Sequence, residues 1–271
     1  MLQRLTVIGS GTMGEAFIKG LLNQGVLEPS QIVATDALQE RREEIKARYG
    51  VLVTQDNGEA VAGADVVVLA VKPQAIHHVF KSVNGRMERQ QLVITIAAGI
   101  PIGTVVEGLH HLAVVRVMPN TPGQIGKGAS VWTATPQVTA AQKEQTQIIL
   151  GALGFNLYVE EERYIDMATA LSGSGPAYLF LFYEALVDAG VHIGFSRSQS
   201  EHLVFHTLSG SLAYLKQSGK HPAELRNGVT SPAGTTTEAL LEMEASGLRA
   251  AVIKGVKAAY RRSVALGKEE D

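Results

Sequence analysis

Five short apolar runs restrict the fold more than any other feature of this chain. They are Leu5-Thr6-Val7-Ile8, Ile32-Val33-Ala34, Val66 to Val71, Leu92 to Ile96 and Val114 to Met118. Runs this short and this rich in Val, Ile and Leu read as strands buried on both faces, which requires a mostly parallel sheet with helices on each side. The segments between them supply those helices. Met13 to Leu22 is amphipathic, and the charged stretch Gln39 to Arg48 reads as an exposed helix with Ile45 turned inward. Right-handed crossovers then give a doubly wound sheet.

From about Tyr164 the strand runs stop and helical patterns take over. One, Gly175 to Val191, is apolar on nearly every face (Leu179, Phe180, Leu181, Phe182, Leu186) and needs cover on several sides, as a second subunit would provide. Two more run from about Gln199 to Lys216 and from Leu248 to Leu266. The expectation is an α/β domain over residues 1–162 and an all-α domain over 163–271.

Composition removes several function classes. Cysteine is absent, which excludes disulfides, thiolate nucleophiles and Cys-ligated zinc. The formal net charge is −2 with no long basic run, so nothing recruits nucleic acid or an anionic membrane by charge. With no signal peptide and no run near the roughly 20 residues of a membrane span, a cytoplasmic protein is expected.

Gly9-Ser10-Gly11-Thr12-Met13-Gly14 directly follows the first strand and opens the first helix. In that setting G-x-G-x-x-G is the Rossmann-type phosphate cradle: glycines for the turn and for close approach, and a helix N-terminus offering N–H donors to a pyrophosphate. Asp36 stands 22 residues beyond Gly14, at the end of the second strand. Its carboxylate either accepts from the adenosine ribose hydroxyls, favouring NADH over NADPH, or caps the next helix. Arg41 and Arg42 lie one turn further on, within reach of a 2′-phosphate. Ala70-Val71-Lys72-Pro73, Ala97-Ala98-Gly99 and the loop holding Asn120 each follow a strand and open on the same carboxyl edge, where a coenzyme lies.

The helical half carries a second cradle. Thr230-Ser231-Pro232-Ala233-Gly234-Thr235-Thr236-Thr237 places hydroxyls and N–H groups at a helix start, a setting suited to a small carboxylate. Ser172-Gly173-Ser174-Gly175-Pro176 is a small-residue entry to the apolar helix.

Taken together, the chain resembles the pyrroline-5-carboxylate reductase family. Pro222 to Glu244 fits that family's C-terminal signature, and Ala168 to Tyr178, Val71 to Gln74 and Met118 to Pro122 look like its other hallmarks. The resemblance implies hydride transfer from NADPH or NADH to the cyclic imine, giving L-proline. It further implies that Thr236 hydrogen-bonds the ring nitrogen, and that Ser231, Gly234 and Thr235 join it in holding the carboxylate. A helical domain that interlocks into a dimer, or a ring of dimers, belongs to the same implication, with the active site in a cleft between the domains. Two positions depart from the pattern. Ala233 stands where a second glycine is usual, and Asn227-Gly228 where Asp and a larger residue are expected.

Other readings have less behind them. His202 and His206 share a helix face but lack a third ligand, so no metal site is expected. The pairs His77-His78 and His110-His111 read as solvated, Asp166 as a cap, and Trp132 and Tyr178 as packing residues. A related two-domain reductase would place a catalytic Lys or Asp on the helix that begins at Ser174, which offers Tyr178 and Glu184 but no lysine. A non-catalytic coenzyme sensor would have no use for the second cradle.

Overall fold

The computed structural model describes residues 2–267. Eight strands form one sheet: β1 (Leu5–Ile8), β2 (Ile32–Thr35), β3 (Leu52–Thr54), β4 (Val66–Leu69), β5 (Leu92–Thr95), β6 (Val114–Met118), β7 (Gly128–Ala134) and β8 (Gly154–Tyr158), in the order β3-β2-β1-β4-β5-β6-β7-β8. The five apolar runs are β1, β2, β4, β5 and β6. Six helices accompany the sheet: α1 (Thr12–Asn23), α2 (Gln39–Tyr49), α3 (Asn57–Val61), α4 (Ile76–Val83), α5 (Ile102–Leu109) and α6 (Ala140–Gly151). Side chains alternate across the strands, so Val66 and Val68 join the core under α1, α2 and α6, while Val67 and Leu69 join the one under α3, α4 and α5.

The sheet is not wholly parallel. β7 runs antiparallel to β6, and β8 parallel to β7. Neither shows as an unbroken apolar run. β8 lies at the edge and alternates half-buried and exposed positions, and β7 carries Ser130 and Thr133 on its buried positions. Trp132 on β7 is buried, its Nε1 donating to Asn156 Oδ1 at 3.2 Å.

The remaining helices are α7 (Arg163–Ala168), α8 (Gly175–His192), α9 (Arg197–Ser218), α10 (Pro222–Gly228), α11 (Thr235–Ala245) and α12 (Leu248–Leu266). The chain divides into two compact units, one formed by residues up to Pro176 with those from Ala258 onward, the other by Ala177–Lys257. Both buried clusters lie in the first unit. In the second, α8 leaves Phe180 64% and Leu181 68% exposed. Among the described residues no helix is long and apolar enough to cross a membrane.

Two expectations are corrected. Asp166 does not cap a helix: its Oδ1 accepts from Ser263 Oγ at 3.0 Å and lies 3.4 Å from the buried Arg116, which pairs with Glu162 at 2.6 Å. The His110-His111 pair divides. His110 is exposed at the end of α5, but His111 is buried and its Nε2 donates to the Gln91 carbonyl at 2.7 Å.

Candidate functional site

Strand order reverses between β1 and β4, and the crevice of a doubly wound sheet opens at that reversal, beyond the carboxyl ends of the strands. A cavity of about 520 Å³ lies there, lined by Gly9, Gly11, Asp36, Ala70, Val71 and Lys72 among others. Gly9 turns out of β1 at φ +92°, and a side chain on it would come within 2.8 Å of the Ala70 carbonyl. Gly14 is more constrained, since a Cβ there would lie 2.0 Å from the Gly9 carbonyl. Gly11 differs: it caps α1 with no side-chain bond, and a Cβ on it would meet nothing within 4 Å. Two glycines thus close the turn, and the third borders open space at a helix N-terminus. That geometry fits a pyrophosphate, with Thr12, Met13 and Gly14 forming the first turn behind it.

Asp36 sits beyond the end of β2. Its Oδ2 accepts from the Ser10 N–H at 3.0 Å and its Oδ1 from the Leu38 N–H at 3.0 Å. The carboxylate therefore shapes the loop as well as facing the cavity. The two arginines one turn on are engaged too. Arg41 Nε donates to the Ser10 carbonyl at 2.6 Å and its other nitrogens pair with Glu15 and Glu44. Arg42 Nη1 donates to the Asp36 and Ala37 carbonyls at 2.7 and 3.1 Å. Burial pushes the Glu15 carboxyl up, but hydrogen bonds from Tyr49, Arg41 and Arg48 outweigh it and bring it down to about 2.

Lys72 is exposed and opens the short turn at Pro73. Ala97, Ala98 and Gly99 follow β5, with Gly99 at φ +80° and Leu266 packed beside it. Asn120 follows β6 and is tied at both ends of its amide: Nδ2 donates to the Ser172 carbonyl at 3.0 Å, and Oδ1 accepts from the Ala129 N–H at 2.8 Å. None of these last four residues lines the 520 Å³ cavity.

Gln55, Asn57 and Ser82, which sequence reasoning passed over, also line it, as does His78, read from sequence only as solvated. Asn57 Oδ1 accepts from Thr35 Oγ1 at 2.6 Å, and its Nδ2 donates to Ser82 Oγ at 3.0 Å. Gln55 and Asn57 follow β3, which runs parallel to β2 and so opens on the same edge, but three residues ending in Thr54 are too short a run to read as a strand from sequence.

In the second unit, α11 begins at Thr235 with Gly234 as its cap. The space beside Gly234 is closed, for a Cβ there would lie 2.3 Å from Ser231 Oγ. Thr237 Oγ1 donates to the Ser231 carbonyl at 2.6 Å, folding the loop onto the helix start. No side chain caps the opening N–H groups of α11. Ala233 takes the left-handed conformation, φ +56°. One hydroxyl of the three threonines is thus spent on the loop, and Thr235 and Thr236 flank an N–H-rich helix end.

Comparison with known proteins decides the family. The description "Pyrroline-5-carboxylate reductase dimerisation" matches residues 162–266, and "NADP oxidoreductase coenzyme F420-dependent" matches residues 4–99. The pyrroline-5-carboxylate reductase of Corynebacterium melassecola is 44% identical over 97% of this chain and 98% of its own length. That of Pseudomonas aeruginosa is 43% identical over 98% and 97%. The chain belongs to the pyrroline-5-carboxylate reductase family. A Plasmodium falciparum pyrroline carboxylate reductase, solved with NADP bound, superposes with a TM-score of 0.90 at 30% identity, over 98% of this chain and all of that one. This member of the reductase family is thus an oxidoreductase with a nicotinamide-coenzyme domain followed by a helical dimerisation domain. Among its described residues no group of three or more His, Cys, Asp or Glu is placed to hold a metal ion, and His202 Nδ1 is engaged by the Ser198 carbonyl at 2.7 Å.

Proposed function

We propose that this chain reduces 1-pyrroline-5-carboxylate to L-proline with a reduced nicotinamide coenzyme, the closing step of proline biosynthesis. The observation that carries the reading is near-full-length identity to reductases of that name, 44% in the Corynebacterium melassecola protein. The coenzyme cradle is Gly9, Ser10, Gly11, Thr12, Met13 and Gly14, whose open Gly11 side and uncapped helix start suit a pyrophosphate. Asp36 faces the adenosine ribose. Ala70, Val71, Lys72, Pro73, Ala97, Ala98, Gly99 and Asn120 form the carboxyl-edge loops toward the nicotinamide. When bound, the dihydronicotinamide supplies a hydride to the C=N carbon of the protonated imine, C2 of the pyrroline ring, whose π electrons pass to the nitrogen to leave a secondary amine.

The chain's own contribution is binding and orientation. Ser231, Gly234 and the N–H groups of Thr235 and Thr236 hold the substrate carboxylate at the positive end of α11. The Thr236 hydroxyl hydrogen-bonds the ring nitrogen and fixes which face of the C=N carbon is presented. A protonated imine is already electrophilic, so positioning lowers most of the barrier that a catalyst has to lower. Among nicotinamide coenzymes the Asp36 carboxylate favours NADH, because it repels a 2′-phosphate. Residues 1–162 bind coenzyme, and 163–271 bind substrate and dimerise. The enzyme is a cytoplasmic homo-oligomer, a dimer or ring of dimers, acting on a small molecule and not on nucleic acid.

Oxidation of NADH and NADPH, followed separately with pyrroline-5-carboxylate, tests the assignment. Turnover is expected with both and a higher kcat/KM with NADH. A folded protein that binds coenzyme yet turns over neither overturns it.

A further inference from the structure

Ser10, the second residue of the Gly9–Gly14 turn, is buried, and each of its polar groups is engaged. Its Oγ donates to the Thr35 carbonyl at 3.0 Å, its N–H to Asp36 Oδ2 at 3.0 Å, and its carbonyl accepts from Arg41 Nε at 2.6 Å. The last bond has a consequence across the peptide link. In a trans peptide the C=O and the following N–H point in opposite directions. Anchoring the Ser10 carbonyl on Arg41 therefore aims the Gly11 N–H the other way, on the residue whose missing side chain leaves open space. If that peptide rotated, a carbonyl dipole would replace an N–H donor beside an anion.

Arg41 holds this geometry with all three of its nitrogens. Nη2 bonds Glu15 in the first turn of α1, and Nη1 bonds Glu44 on α2 at 2.5 Å. Glu15 also accepts from Arg48 Nη1 at 2.5 Å and from Tyr49 Oη at 2.6 Å. A planar guanidinium fixed in three directions is a rigid spacer, which lysine cannot reproduce. Glu15 stays anionic one turn from the phosphate cradle, so it needs cations beside it or it would repel the coenzyme.

We propose that Arg41 is a positioning residue for the coenzyme: it locks the Ser10–Gly11 peptide and neutralises Glu15, and it does not read the coenzyme's 2′-position. The proposal rests on the Gly9–Gly14 turn being the coenzyme site. It assigns to Arg41 an effect on NADH and NADPH alike, which separates it from a 2′-phosphate ligand.

The test measures coenzyme affinity through energy transfer from the single tryptophan, Trp132, to bound NADH or NADPH, alongside KM, kcat and Tm. Arg41→Met should raise Kd and KM for both coenzymes by one common factor, on the order of tenfold for a lost charge-assisted bond. The value of kcat should change little, and Arg41→Lys should recover only part of the affinity. Should Arg41→Met fail to fold, Arg41→Gln keeps a polar donor but loses the charge and the fork, and is expected to give a smaller rise, again equal for the two coenzymes. A loss confined to NADPH would make Arg41 a phosphate ligand and overturn the proposal. Unchanged affinities with a lowered Tm would reduce it to a stability contact and overturn it equally. Wild-type protein that binds neither coenzyme would instead remove the reading of the turn itself.

Discussion

The two cradles of this chain are supported in opposite ways. The Gly9–Gly14 turn is set in a unit with a buried core on each face of its sheet, and its loop is tied by Asp36 and Arg41. The Ser231–Thr237 loop belongs to a unit whose helices expose Phe180, Leu181, Phe205 and Leu212 and contribute to neither core cluster. A phosphate cradle built on strands is finished within one chain. The loop before α11, the proposed carboxylate site, sits among helices whose apolar side chains need cover, and the dimerisation match over residues 162–266 points to a second copy. The sharpest break of this contrast is Leu181→Glu, at a position 68% exposed in the single chain. A charge at the centre of an apolar interface costs about 2 kcal/mol or more, and two-fold symmetry counts it twice. Sedimentation should then show monomers, with kcat/KM for the imine lost while coenzyme affinity persists. A dimer with wild-type kinetics would show that α8 is covered by something else.

Within the second cradle, Thr236→Ala should lower kcat/KM by roughly 1.5–3 kcal/mol, the range for a hydrogen bond to a charged group. Thr237→Ala should act differently, since its hydroxyl holds the Ser231 carbonyl, so its effect falls on KM for the imine. Equal kinetics for wild type and Thr236→Ala would leave the backbone N–H groups to bind substrate alone. Within the first cradle, Asp36→Ser should move the kcat/KM ratio toward NADPH. Because Asp36 also accepts from Ser10 N–H, KM should rise somewhat for both coenzymes before the shift is counted. An unchanged ratio would confine Asp36 to shaping the loop.

The same contrast decides what could be read without coordinates. Strands buried on both faces announce themselves as apolar runs, so β1, β2, β4, β5 and β6 and the turn after β1 were legible. β3, β7 and β8 were not, because they are short or half-buried and carry polar residues such as Thr54, Ser130 and Asn156. Residue type placed Asp36 and Arg41 near the cradle, but not what they hold. Arg41 was expected within reach of a phosphate and is instead fixed on Ser10 and two glutamates, a matter of side-chain direction that spacing does not encode. Asp166 and His111 failed for the same reason: each finds a partner distant in sequence.

The smallest expected effect lies at Ala233. The resemblance sets a glycine at this position, and Ala233 adopts φ +56°, a conformation glycine takes without strain. A Cβ in the left-handed region crowds the following carbonyl and costs roughly 1–2 kcal/mol, which glycine avoids. Glycine also enlarges the freedom of the unfolded chain, which offsets up to about 1 kcal/mol of that gain. Ala233→Gly should therefore raise stability by a few tenths to about 1 kcal/mol, read as a modest upward shift of Tm. Because Ser231 and Gly234 flank the position, the kinetics separate two views of the strain. If the left-handed turn merely connects α10 to α11, KM for the imine stays put while Tm rises. If alanine keeps the loop from sampling other shapes, Ala233→Gly gains stability and loses imine affinity together. A lowered Tm would mean that the unfolded-state term outweighs the relief of strain, and that this loop is less constrained than its backbone angles imply.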